Sequence, residues 1–178
     1  MRTNRKTGRP HGFWSDGAGA AAVEFALVIP LLLMIVGSTL EAGWIMMQTI
    51  MLDRGLDQTV RELRVGSFTN PTQEAMRQRV CARAMILADC EANLALELFP
   101  IGPGGTGYPS DTQRCVNRNS TVAPVLRFTP GGRTETMFVR ACYVVSPITP
   151  GIGLGLSLPK DGSGALRLIA KSGFVNEP

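Results

Sequence analysis

The chain has 178 residues and a mass of 19.1 kDa, room for one anchor and one modest folded domain but not for a large enzyme core. Its 18 basic and 14 acidic residues give a formal charge of +4 and a pI near 9.2. Arg2, Arg5, Lys6 and Arg9 against Asp16 put +3 of that ahead of Gly19, so 14 basic and 13 acidic residues, or +1, remain behind it. The basicity is thus a positive-inside signal and not a phosphate-binding surface, which argues against a nucleic-acid partner.

Residues 1–19 read as a basic leader, rich in Arg, Lys, Gly and Pro in its first sixteen positions and set aside from the folded part. From Ala20 the chain turns apolar. Phe25 to Leu40 is interrupted only by Pro30, Gly37, Ser38 and Thr39, and Ala20–Val23 with Ala42–Met47 lengthen the run to what a bilayer crossing needs. Glu24 stands at one end of this run and Glu41 toward the other, where Trp44 is a candidate interfacial anchor. A carboxylate at such a place costs about 2.5 to 3.5 kcal/mol on insertion scales, so Glu24 is expected to have a partner or a task. Glu41 is expected to snorkel at the interface, with pairing to a partner helix as the alternative.

Pro30 removes one helical hydrogen bond and predicts a kink. No proline follows it before Pro71, and Ile50, Leu52, Leu56, Val60 and Leu63 recur at near-helical spacing, so the helix should run on to about Arg64 and stop at Gly66-Ser67. A helix of ~45 residues is ~67 Å long, more than one bilayer crossing. Residues 20–65 are therefore expected to form a transmembrane and extended helix, and 66–178 an extracytoplasmic head.

Within the head, Gln73 to Ala88 predicts a second helix with Thr72 as N-cap, and Leu94, Leu96 and Leu98 predict a strand. The Gly-Pro-Gly-Gly-Thr-Gly at 102–107 lacks the ending of a phosphate loop. Val122–Phe128 and Thr136–Val145 predict a hairpin closed by Pro130-Gly131-Gly132, with Pro124 marking an edge strand. A Gly- and Pro-rich loop follows from Pro147 to Gly164, and the alternation of Leu166, Leu168 and Ala170 with Arg167, Ile169 and Lys171 predicts a last strand. The expected fold class is α+β: a long N-terminal transmembrane helix and a small disulfide-bonded antiparallel sheet head.

Cys81, Cys90, Cys115 and Cys142 all lie beyond the apolar run, which fits an oxidising compartment and two disulfides in any of three connectivities. In one continuous helix Cys81 and Cys90 would point to opposite faces ~13 Å apart, so a bridge between them requires the helix to end near Ala88. No Cys-x-x-Cys occurs and the only histidine, His11, is in the leader, so neither a metal site nor a cofactor is expected. No serine sits in a nucleophile elbow, and Asp111 and Glu135 suit turns or surface better than catalysis, so the chain is not expected to be an enzyme.

The junction Gly19-Ala20-Ala21-Ala22-Val23-Glu24-Phe25 resembles the processing site of type IV prepilins: a basic leader, Gly before the cut, a small start, and Glu at the fifth mature position. The closer resemblance is to the TadE-like family, minor pseudopilins of the tight-adherence (Flp) pilus system, whose opening is similar to residues 19–33. Leu40-Glu41-Ala42-Gly43 and Asn176-Glu177-Pro178 are also similar to members of that family.

This resemblance implies cleavage after Gly19 by a prepilin peptidase, with Ala20 as the new N-terminus and Glu24 and Phe25 in an assembly contact. It further implies other pilins and pseudopilins and an inner-membrane assembly platform as partners, and a role in adhesion and biofilm formation. For the cysteines it implies Cys81 with Cys90, leaving Cys115 with Cys142. The N-terminus would be cytoplasmic and the head periplasmic. The alternative is a signal-anchored extracytoplasmic binding module that keeps its leader.

Overall fold

The computed structural model describes residues 17–68, 71–108, 115–120 and 124–176. The first element, α1 (Gly17–Arg64), is one helix of 48 residues that runs through Pro30, about 72 Å at 1.5 Å per residue. It stops where the sequence predicts. Gly66 adopts a left-handed φ of 70°, its N–H donates to the Leu63 carbonyl, and the Ser67 N–H donates to the Glu62 carbonyl, the paired bonds of a Schellman motif.

Helix α2 (Gln73–Arg83) opens on Thr72, whose side chain accepts from the Ala75 N–H. It ends five residues earlier than its apolar pattern predicts. The left-handed φ of 47° at Asp89 turns the chain back into the short α3 (Cys90–Asn93), and this reversal brings Cys81 and Cys90 together with Cα atoms 5.6 Å apart. The second disulfide, Cys115–Cys142, ties the segment around Cys115 to the sheet. Both pairings are those the family resemblance implies.

Strands β1 (Leu94–Ile101), β2 (Thr136–Val145) and β3 (Leu166–Val175) form an antiparallel sheet in the order β1-β2-β3. Leu94 pairs with Tyr143, and Cys142 with Ile169. The predicted hairpin is corrected: β2 pairs with β1 and β3, and no strand forms over the described part of 122–128, residues 124–128. That segment makes a single parallel bridge, Leu98 to Phe128, in which the Leu98 N–H donates to Arg127 and the Thr129 N–H to Leu98. Pro124 is therefore in irregular backbone, not on an edge strand. With the Gln73 amide donating to the Leu96 carbonyl, this bridge covers the free edge of β1.

One sheet face carries Leu94, Leu96, Leu98, Met137, Val139, Ala141, Tyr143, Val145, Leu166, Leu168, Ala170 and Phe174, all buried. It packs on Leu52, Leu56, Val60 and Leu63 of α1 and on Met76, Val80 and Ala84 of α2. Each large side chain there contributes about 1.5–3 kcal/mol of burial. Tyr143 keeps its hydroxyl satisfied by donating to the Ala88 carbonyl at 2.8 Å, and burial pushes its phenol above the usual range. The other face is also covered: Phe138 is packed between Phe99 and Tyr108, and Glu97 and Arg140 form a buried ion pair.

The two helices cross at Gly55. A Cβ there would stand 2.8 Å from the Val80 carbonyl oxygen and 3.2 Å from the Ala84 Cβ, so only a hydrogen lets the helices approach this closely. Gly55→Val is expected to destabilise the head by about 1–3 kcal/mol, seen as a lower urea midpoint of the full-length protein in detergent. Gly43→Ala, where nothing lies within 4 Å, should leave that midpoint unchanged or raise it.

Candidate functional site

Among the described residues, little covers the N-terminal part of α1. Phe25 is 66% exposed and Leu27 75%, and almost every large apolar side chain from Val23 to Leu40 is likewise exposed. A helix apolar on all sides and bare over this length belongs in lipid or against other helices. It is long and apolar enough to cross a membrane. Gly19, Ala20, Glu24 and Phe25 lie in the first turns of this stem, and Gly19 has nothing within 4 Å of the position a side chain would take. Glu24 is exposed, as a carboxylate offered to something outside the chain must be. Pro30 is also on the bare stem.

Glu41 corrects its expectation. It does not snorkel; it is 1% exposed and holds the head to the stem. Its Oε1 accepts the Ile148 N–H at 3.0 Å, and its Oε2 accepts the Thr149 N–H at 2.8 Å and the Thr149 hydroxyl at 3.0 Å. One turn earlier, Ser38 Oγ accepts the Leu154 N–H at 3.0 Å while donating to the Met34 carbonyl. The partner is thus the loop between β2 and β3, which contains the short α4 (Gly153–Ser157), and not a second helix. Sequence periodicity had no access to a contact between positions more than a hundred residues apart. The available signal was a carboxylate in an apolar helix together with a long uncharged loop.

Trp44 is 40% exposed and borders an open cleft of about 670 Å³ with Gln48, Arg118 and Tyr143. At the far end of the loop, burial alone pushes the Asp161 carboxyl up, but donors from Ser163 and Ala165, with Arg167 nearby, hold it below the usual carboxylate range. That Asp161 turn feeds the chain into β3. Glu135 accepts from the Gly132 N–H and serves a turn, whereas Asp111 and His11 lie outside the described residues. Among the described residues no cluster of His, Cys, Asp or Glu could hold a metal ion.

Among the described residues, the geometry presents a bare apolar surface suited to assembly or membrane contact. The family described as TadE-like protein matches residues 19–61, which is the bare stem together with most of the part of α1 under the head. No curated protein and no solved structure matches the chain. Through the helix that carries Gly19, Glu24 and Glu41, this chain is similar to the TadE-like family, which is tied to the tight-adherence pilus system.

Proposed function

We propose that the chain is a minor pseudopilin: a membrane-anchored, non-enzymatic subunit for assembly of tight-adherence pili, through which it supports adhesion and biofilm formation. The observation that carries this is the bare apolar stem bearing Gly19 and Glu24 in its first turns, in the segment that matches the TadE-like family. Residues 1–19 are the leader, 20–65 the membrane-crossing and extended helix, and 66–178 the head, with the N-terminus cytoplasmic and the head periplasmic across the inner membrane. A prepilin peptidase cuts after Gly19, where a bulkier side chain would obstruct its approach to the backbone.

Ala20 then carries a new α-ammonium at a helix start, disfavoured by the positive end of the helix dipole. A Glu24 carboxylate from a neighbouring pilin or pseudopilin offsets that charge and its desolvation, which makes Glu24 the contact that sets register. Phe25 to Leu40 supplies the apolar packing surface, and the inner-membrane platform is the machine that receives it.

The test is the intact mass and N-terminal peptide of the protein from its native membrane, with and without the prepilin peptidase. The expected chain begins at Ala20 only when the peptidase is present, and Glu24→Ala should insert normally yet impair piliation. A leader retained in both strains would identify a signal-anchored binding module instead.

A further inference from the structure

The loop that Glu41 and Ser38 hold is built unlike the rest of the head surface. From Ser146 to Pro159 it contains no Asp, Glu, Lys or Arg. Three of its large apolar side chains face outward, Ile148 at 60%, Ile152 at 53% and Leu156 at 63% exposure. Part of its backbone is satisfied from within: Ile148 and Thr149 donate to Glu41, Leu154 donates to Ser38, and Leu158 donates to the Leu154 carbonyl. Irregular backbone is tolerated at membrane depth only where it is buried against protein, and here the bonded amides face α1 while the apolar side chains face outward.

Its position along α1 sets its depth. Ser38 is 14 residues from Glu24, about 21 Å along the helix, whereas the hydrocarbon core is about 30 Å thick. With Glu24 at the edge of one leaflet, the α4 segment beside Ser38 lies below the edge of the other. Gly153 packs so closely on Ser38 that a side chain there would clash with its hydroxyl, so the loop cannot ride higher without losing this seat. Lys160, which ends the uncharged stretch, donates its ammonium to the Pro150 carbonyl at 3.1 Å and marks the return to water.

We propose that residues 146–159 form a foot inserted into the head-side leaflet beside α1, with Ile148, Ile152 and Leu156 in lipid and Glu41 pairing the amides that lipid could not satisfy. The foot rests on the reading of α1 as a membrane-crossing helix. Its occupant is the acyl region of the bilayer, because the apolar patch is continuous with the bare stem at the same depth. It fixes how far the stem can sink and keeps the head against the membrane until the subunit is extracted, which must expose the patch or pass it to a neighbouring subunit.

The experiment uses the full-length chain in phosphatidylcholine/phosphatidylglycerol vesicles with Trp14→Phe and Trp44→Phe, so that one introduced tryptophan reports. Ile152→Trp should lose about half its emission when the acyl chains are brominated near the headgroup, and should resist aqueous acrylamide. Leu156→Trp should do the same, and serves if Ile152→Trp misfolds. Val28→Trp, on the stem, should be quenched by bromine placed deep in the acyl chains.

Acrylamide quenching of both loop tryptophans with Val28→Trp still quenched by lipid would overturn the foot and leave the membrane-crossing helix standing. Protection from both quenchers would also overturn it, by showing that a second copy covers the patch. No lipid quenching at Val28→Trp would overturn the membrane-crossing reading and the foot with it.

Discussion

Arg140→Met and Glu97→Leu, each made alone, are expected to cost the head about 3–5 kcal/mol, whereas the double variant should recover most or all of that loss. The two residues are cross-strand partners in β1 and β2, and both are about 5% exposed. They lie on the sheet face away from α1, near Phe99, Phe138 and the Cys115–Cys142 bridge. A lone guanidinium or carboxylate left there would be buried without its opposite charge, and that penalty exceeds what the pair contributes over apolar residues of similar size. The measurement is urea denaturation of the full-length chain in detergent, disulfides intact, for the wild type, both single variants and the double variant. Equal and additive losses would mean that the two side chains act independently.

Glu41→Ala should release the β2–β3 loop without unfolding the sheet. Two backbone N–H groups and one hydroxyl lose their acceptor, at about 1–3 kcal/mol for each buried donor left unpaired. In hydrogen exchange, the Ile148 and Thr149 amides should lose about 10- to 100-fold of their protection while residues 137–145 keep theirs. Glu41→Gln should fall between the two, because its amide nitrogen must face one of the donors the carboxylate accepted. Unchanged protection in Glu41→Ala would mean that the loop is held by Ser38 and apolar contact alone.

These two carboxylates show how differently one residue type is used in the same chain. Glu97 is paired with a full charge on the sheet face away from α1, while Glu41 is spent on backbone amides at the junction of stem and head. Glu24 is exposed on the stem, and the proposed function gives it to a neighbouring subunit. The head is therefore coupled to the stem at two levels, the apolar packing from Leu52 to Leu63 and the Glu41–Ser38 seat nearer the bare end. Force applied to the stem reaches the head through both.

What could be read from residues alone follows from short-range physics. The extent of α1, its stop at Gly66, the cap at Thr72 and the strands at Leu94, Thr136 and Leu166 all rest on patterns a few residues long, where periodicity, left-handed backbone and capping act locally. The candidate membrane span and the TadE-like opening also lie in contiguous sequence. The failures lie where distant segments compete.

Residues 124–128 carry some strand character, but the edge they reach is that of β1, and they make only one bridge with it. β2 instead takes β3 as its second neighbour, whose apolar alternation continues the buried face against α1. α2 stops early because the reversal at Asp89 lets Cys81 meet Cys90. Glu41 reads as an interfacial charge until the loop at 148–149 is folded back onto it. Hydrogen-bond donors contributed from across the fold are invisible to local pattern, and they convert that carboxylate from a hydrated surface group into a buried anchor.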